Sequence, residues 1–596
     1  MMITVIKNSD EIGEELKAEK NEINTTSAKA RSVPVFRLKL DELFVSIDLY
    51  YSIPPQPVYP HKVILTYAYR HNLCESYNLL HIHIYSNFFI LFYENGGVMR
   101  VLMIYPEFPD TFWSFKHALK FINRKINNPP LGLMTISALL PGEWEKKLVD
   151  VNIHQLTETD IKWSDIVFIS AMDVQRSSVH QIVSQVKHFD KPIVAGGPLF
   201  TGSYEDFPLI DTFVLNEGEI TLPEYLADLA AGVPIKKIYS TTEFADIQKS
   251  PLPDLSIIDM KQYDTMSIQF SRGCPFQCDF CNVTALLGHT PRIKTSQQII
   301  AELDQLNEAG WHHNVFFVDD NFIGNKKLIK EEILPDLIDW RKDKIGFHFS
   351  TEASINLADD EELLDLMAKA GFLDVFIGIE TPNEASLVEC NKKQNSKRDL
   401  IKNINLIQNH GMHVMAGFIV GFDHDTPDIF EQMISFIQDS GIVTAMVGLL
   451  QAPFGTKLYD RLTDEGRIIK EMSGDNADGT TNIRTKMQPS LLRDGYFNIM
   501  KSIYSPELLY PRIKTFLQQF QPVQTSVTIR FNEILAFFRT VFVMGFSLKE
   551  GRYYWNLFFW TLWHDIKKFP MAITLVIYGY HFRTITNKNL QLLSET

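Results

Sequence analysis

Three cysteines, Cys274, Cys278 and Cys281, fall within eight residues in the stretch RGCPFQCDFC, Arg272 to Cys281. No fourth thiol follows in register, so a closed disulfide set is not on offer. Thiolates hold iron–sulfur clusters, and a [4Fe–4S] cube has four irons. Spacings of four and three residues can bring three thiolates to three corners of one cube. The fourth iron then stays open to nitrogen and oxygen ligands from a substrate or cofactor. Gly273 and Pro275 suit the constrained turn this requires. The alternative on spacing alone is zinc, with His289 or Cys390 as the fourth ligand, although zinc sites usually pair two two-ligand knuckles.

A loop of this kind needs a rigid strand to leave from. SIQFS (267–271) precedes it, and five more apolar runs follow: NVFFVD (314–319), GFHFST (346–351), DVFIGIE (374–380), HVMAGFIVGF (413–422) and VTAMVGLL (443–450). Each gap holds one helix-length segment, such as SQQIIAELDQLNEAG or DEELLDLMAKAG, several closing on glycine. Six strand–helix repeats predict a partial (β/α)6 barrel over 265–465. In such barrels chemistry sits at the C-terminal strand ends. Those ends carry Arg272 with the cysteine loop, Asp319-Asp320-Asn321, Thr351-Glu352, Glu380, Asp423 and Gln451. Polar loops are common, but six polar strand ends point to one shared site.

A second alternating series lies upstream, over 99–240. RVLMIYP, KKLVDVN, DIVFISA, KPIVAGGP and TFVLNEGE read as buried parallel strands, with helices such as LGLMTISALL and SVHQIVSQVKHF between them. Ligands of such sheets sit at the carboxyl ends of the strands. There the chain places Ser170, Gly196, Gly197 and the run Asn216-Glu217-Gly218-Glu219. The glycines let a ligand approach the backbone, and a plain tight turn would explain them as well. Residues 241–264, with SPLPDL, read as a linker. Residues 1–98 read as an N-terminal extension of uncertain structure, with the functional chain expected to begin near Met99.

The bulk numbers narrow the class. The 596 residues are 45% hydrophobic and 22% charged, with a formal net charge of -15. That balance argues against a nucleic-acid partner, which needs clustered Lys and Arg. Five cysteines in so long a chain is not a secreted disulfide pattern, so a reducing, cytoplasmic setting is expected. No signal peptide and no run of about 18 apolar residues stands out.

With these motifs in place, the sequence resembles the radical S-adenosylmethionine (SAM) superfamily: C-x3-C-x2-C after a first barrel strand, with Phe280 just before the last cysteine. The resemblance implies that Cys274, Cys278 and Cys281 ligate a [4Fe–4S] cluster whose open iron binds SAM, cleaved to a 5′-deoxyadenosyl radical. It places Phe280 against the adenine. It sets Asp319 and Asp320 where the superfamily often has Gly-Gly-Glu, a departure that leaves their roles open. It matches Glu380 in GIETPN, and Gly417 and Gly421 in GFIVGF, to later SAM-contact segments. APFGTKLYDRL (452–462) resembles the segment common after the last barrel strand.

The upstream sheet is similar to the Rossmann-like cobalamin-binding domain of one large subclass. IVAGGP and LNEGE are the matching segments, so Ser170, Gly196, Gly197, Glu217 and Gly218 are expected cobalamin contacts. The D-x-H-x-x-G signature is absent: Asp150 and His154 in DVNIHQL have the wrong spacing, so no histidine below cobalt is implied. From 99 to 582 the chain resembles a subgroup with a C-terminal domain of undefined role, to which hopanoid A-ring methylases belong.

The last segment, 466–596, reads as mostly helical. FNEILAFFRTVFVMGF and YYWNLFFWTLWHDIKKFPMAITLVIYGYHF concentrate aromatics, with Arg552, Lys567, Lys568 and Arg583 beside them. A helical cap on the barrel and a peripheral contact with the inner face of the membrane both suit that composition. The expectation is a cobalamin-dependent radical SAM methyltransferase acting on an unactivated carbon of a lipid- or terpenoid-like substrate. It would draw electrons from a flavodoxin- or ferredoxin-type donor. Cyclisation or oxidation without methyl transfer is the nearest alternative; a non-catalytic iron–sulfur sensor or binding module is the alternative of a different class.

Overall fold

The computed structural model describes residues 36–40, 43–47, 98–522 and 531–595. The chain divides into two units, Met1–Tyr85 and Ser86–Thr596. In the first, β1 (Phe36–Leu40) and β2 (Leu43–Ile47) form an antiparallel hairpin. Cys74 and most of the predicted extension lie outside the described residues.

The second unit opens with a six-stranded parallel sheet: β3 (Arg100–Tyr105), β4 (Glu145–Asp150), β5 (Ile166–Ser170), β6 (Ile193–Gly196), β7 (Thr212–Val214) and β8 (Ile238–Tyr239). Their spatial order is β4-β3-β5-β6-β7-β8. The alternation along β3 shows why its run is continuously apolar. Val101 and Met103 face one core, and Leu102 and Ile104 face the other. The strand order reverses at β3, so the crevice beyond the carboxyl ends of β3 and β5 is the topological switch point, where doubly wound sheets bind ligands.

The second sheet holds the six predicted barrel strands: β9 (Met266–Ile268), β12 (Asn314–Phe317), β13 (His348–Ala353), β14 (Phe372–Glu380), β15 (His413–Val420) and β16 (Ala445–Leu449). All neighbours are parallel and in sequence order. Local signals fix the covering helices. Thr295 and Gln298 form a capping box at the helix Ser296–Glu308. Asp360 caps Glu361–Ala370, which stops at Gly371 in the left-handed region, φ 98°. A short antiparallel pair, β10 (Ser271–Arg272) and β11 (Arg292–Ile293), brackets the cysteine loop.

The C-terminal segment is helical, as expected: Pro489–Ile503, Pro506–Gln519, Phe531–Thr540, Gly551–His564 and Phe569–Glu595. It shares one core with the barrel. β16 is an edge strand, and unpaired edges need cover. Tyr504 supplies it: its hydroxyl donates to Ala445 O at 2.7 Å and accepts from Ala445 N at 3.1 Å. Phe582 stacks on Phe112 at 3.9 Å, binding the last helix to the loop after β3.

Candidate active site at the barrel mouth

The three cysteines sit half-buried on the loop after β9. Cys274 N donates to Gly288 O at 3.3 Å and Cys281 N to Cys278 O at 3.1 Å, which curls the loop on itself. Gly273 has φ 95°, and a Cβ there would lie 2.9 Å from Gly288 O, so glycine is required. Among the described residues no group of three or more His, Cys, Asp or Glu side chains is drawn in tightly enough to hold a single metal ion. His289 is exposed, and Cys390 is buried in an apolar cluster with its thiol on Leu387 O at 3.6 Å.

Two amides point at the thiols: Asn321 Nδ2 lies 3.9 Å from Cys274 Sγ and Gln394 Nε2 lies 3.5 Å from Cys278 Sγ. Donors aimed at cysteine sulfur suit cluster ligation, where such hydrogen bonds tune the potential. The cation Lys392 lies among the thiols. Burial opposes its charge, but Glu380 and Cys278 outweigh that and hold Lys392 above the usual lysine range. Its Nζ bonds Glu380 Oε1 at 2.6 Å and lies 5.9 Å from the Phe280 ring centroid. Glu380 is in the left-handed region, φ 66°, and Gly378 makes room for the pair, since a Cβ there would fall 2.8 Å from Nζ.

The strand-two carboxylates divide in role. Asp319 is fully buried and accepts from the backbone N–H groups of Phe270, at 3.2 Å, and Ser271, tying β12 to the start of the cysteine loop. Asp320 and Glu352 remain at the mouth. Burial raises all three, Asp319 to about 7, Asp320 to about 6 and Glu352 to about 8, and Asp319 and Asp320 add repulsion at Glu352. Gly417 and Gly421 serve packing. A Cβ on Gly417 would meet Phe376 at 2.9 Å; Gly421, φ 105°, donates its N–H to Asp425 at 2.8 Å.

Three strand-end loops of the first sheet pack on the rest of this unit, and the one after β7 reaches the cysteine loop. After β3, Trp113 donates Nε1–H to Met446 Sδ at 2.9 Å and packs edge-on against Phe376. After β5, the backbone of Asp173-Val174 closes on Gly474, where a Cβ would lie 2.5 Å from Val174 N. After β7, Glu217 and Glu219 engage Arg272 and Arg292. Arg272 pairs with Glu219 at 2.6 and 3.1 Å and with Glu217 at 3.1 Å; Arg292 pairs with Glu217 at 2.5 and 2.7 Å. The carboxylate of Glu217 is thus turned toward the barrel.

Ser170, Gly196 and Gly197 come together at the switch-point side. Gly197 has φ 96°, and a Cβ there would lie 2.7 Å from Ser170 Oγ; one on Gly196 would lie 2.6 Å from Val214 O. The fold itself requires both glycines. Gly218 begins the helix Gly218–Ala231 against Ile136. His154 is exposed, and Asp150 accepts from Tyr263 Oη at 3.0 Å. Lys392, Gln394 and Arg292 were not singled out by the sequence reading. Lys392 and Gln394 lie in loops without periodicity and Arg292 in the two-residue β11, and only the tertiary fold gives them partners.

Comparison with known proteins places this arrangement. Across 98% of this chain and 93% of the other, the fold matches the solved cobalamin-dependent S-adenosylmethionine radical enzyme OxsB, TM-score 0.54 at 15% identity. The class is therefore an α/β fold with a doubly wound sheet, a partial barrel and a helical C-terminal part. Residues 268–437 match the radical SAM superfamily, and 456–594 match a domain of unknown function, DUF4070. An uncharacterized methyltransferase of Synechocystis sp. is 38% identical over 81% of this chain and 91% of its own length. The hopanoid C-2 methylase of Rhodopseudomonas palustris is 35% identical over 70% of this chain and 80% of its own. The chain belongs to the radical SAM superfamily, in the group that carries the DUF4070 domain. It is a radical SAM enzyme, with a [4Fe–4S] cluster and SAM as the cofactors its domain implies.

Proposed function

We propose that this enzyme transfers a methyl group to an unactivated carbon of a lipid- or terpenoid-like substrate, with cobalamin at the switch point of the first sheet. The observation that carries this reading is the meeting of that sheet's loop after β7 with the cysteine loop, where Glu217 and Glu219 grip Arg272 beside the cysteines. Two ligand sites built on two sheets then face a common space. The hopanoid C-2 methylase relative supports the methyl transfer and the substrate class.

An aliphatic C–H bond has no useful acidity, so no carboxylate at the mouth can activate it as a base. When bound, the cluster, SAM and cobalamin supply the radical and the methyl group. The chain's own residues do the rest. Cys274, Cys278 and Cys281 would hold the cluster, with the Asn321 and Gln394 amides directed at the Sγ atoms of Cys274 and Cys278. Phe280, Glu380 and the backbone near Gly417 and Gly421 line the SAM side, with Asp320 and Glu352 as candidate partners of its amino group. Ser170, Gly196 and Gly197 floor the cobalamin side. Trp113, Phe376 and Met446 form an apolar wall that keeps water from the reacting carbon. The enzyme needs an external electron donor of flavodoxin or ferredoxin type.

Anaerobic reconstitution with iron, sulfide, cobalamin and SAM tests this. The expected result is 5′-deoxyadenosine, lost in Cys278→Ala and kept in Cys390→Ala, and a product heavier by one methylene unit. An unchanged or dehydrogenated product mass would replace methylation with cyclisation or oxidation.

A further inference from the structure

The C-terminal helices carry apolar side chains that the fold leaves uncovered. Phe538, Phe542 and Phe546 recur every four residues, and Phe542 and Phe546 are 70% and 68% exposed. Across from them, on Gly551–His564, Phe559 is 63% and Trp563 89% exposed. The two rows belong to one surface. Trp555, one turn before Phe559, donates Nε1–H to Gly545 O at 3.0 Å, and Phe537 and Phe558 pack together on Phe569 beneath. Leu548, at the turn between the rows, is fully exposed. Soluble proteins rarely leave so large an apolar patch open without a use for it.

Charge decides what covers it. Lys549, Arg552 and Lys567 are exposed around the patch, and none has a carboxylate partner among the described residues. Arg552 lines one groove with Trp555, Phe559 and Trp563. Of the neighbouring acids, Glu550 is buried against Tyr510 and Arg583, Asp565 caps the turn at Lys567 N, and the exposed Glu507 accepts from the Tyr553 hydroxyl at 3.1 Å. A basic rim around aromatics stands out on a chain of net charge -15. No described helix is long and apolar enough to cross a membrane. Aromatic side chains with flanking Lys and Arg, in helices that do not span, are the pattern of a surface that lies in the headgroup layer of an anionic bilayer.

We infer that the face formed by Phe542, Phe546, Leu548, Phe559 and Trp563 docks on an anionic lipid surface. This rests on the lipid-substrate reading for its purpose, though not for its test. The full chain is sedimented with vesicles of phosphatidylcholine alone and with added phosphatidylglycerol. Expected are binding to the anionic vesicles, at least tenfold loss in Phe542→Ser/Trp563→Ser, and weakening by salt and by Lys549→Glu/Arg552→Glu. The exposed positions predict unchanged thermal unfolding and unchanged 5′-deoxyadenosine formation in these variants.

Absence of binding to either vesicle, or equal binding by the serine variant, overturns the inference. So does a dimer in solution that the serine variant turns into a monomer, because the patch would then be covered by a second copy. Vesicle binding with methylation of a non-lipid would leave the docking face standing and remove the lipid substrate. Lipid methylation without vesicle binding would do the reverse.

Discussion

Arg272, two residues before Cys274, forms a two-pronged pair with Glu219 of the other sheet, Nη2 to Oε1 at 2.6 Å and Nη1 to Oε2 at 3.1 Å. Burial works against both charges, yet the pair holds Glu219 below the ordinary carboxylate range and Arg272 above the ordinary guanidinium range. The fork fixes direction as well as charge. Removing Arg272 leaves Glu219 half-buried without a counter-charge, accepting from the Ser250 hydroxyl at 2.8 Å. Arg272→Met is expected to cost about 3 kcal/mol, and Arg272→Lys to restore only part of it. The same change frees the start of the cysteine loop. Iron bound per chain after anaerobic reconstitution should fall several-fold, while Arg100→Ala, on the far side of the first sheet, should leave it unchanged.

Lys392 and Glu380 pose a second test. Glu380 accepts a strained left-handed backbone, and Gly378 gives up a side chain, so that this pair can form. Lys392→Met should destabilise by about 3–5 kcal/mol, as breaking a buried pair does. Adding Glu380→Gln should recover part of that loss, a coupling that a double-mutant cycle by urea unfolding measures.

How these residues differ in legibility follows from their physics. β3–β7 and the six barrel strands could be read because parallel strands covered on both faces must be apolar on both sides, as Val101–Ile104 are. β8, β10 and β11 are two residues each and carry no period to read. The cysteine spacing is local chemistry and stood out at once. Glu217 was legible as a strand-end residue, but its partners lie 55 and 75 residues away, at Arg272 and Arg292. Charge partners set by tertiary packing leave no trace in spacing. The tail's aromatics could be counted in the sequence, whereas which of them face out needed the helix packing.

The mouth carboxylates set a pH dependence. Asp320, Asp319 and Glu352 have folded-state values of about 6, 7 and 8, above the usual carboxylate value near 4. Between those limits the folded chain binds more protons than the unfolded one, so stability falls as pH rises. Without added cofactors, urea unfolding should show less stability at pH 8 than at pH 5 by several kcal/mol, since each pH unit between 5 and a group's folded value is worth about 1.4 kcal/mol. Glu352→Gln should flatten this slope and gain stability at pH 8. An unchanged slope would mean that Glu352 stays charged at the mouth.

Asp423 should behave in the opposite sense. Arg467 bonds it at 2.6 and 2.8 Å, and Lys486 lies 3.3 Å away; the Arg467 bonds, with Lys486 behind them, hold its carboxyl at about 2. A lowered value adds stability that is present above pH 4 and is lost as pH falls through about 2. Part of this network is open to solvent, so Asp423→Asn should cost about 1 kcal/mol at pH 7 and almost nothing at pH 2. Acid titration of both chains by circular dichroism compares them directly.

Gly197 separates the fold's needs from the cofactor's. Its φ of 96° penalises any side chain, and a Cβ would press on Ser170 Oγ at 2.7 Å. Left-handed strain alone costs about 1–2 kcal/mol. Gly197→Ala should therefore lower the melting temperature modestly and push Ser170 into the crevice proposed for cobalamin. Iron content should stay at the wild-type level, because the cysteine loop belongs to the other sheet. Cobalamin retained per chain, read from its visible absorbance after desalting, should drop. Ser170→Gly in the same chain removes the colliding oxygen and should restore part of it. Full cobalamin retention in Gly197→Ala would move the site away from the ends of β5 and β6.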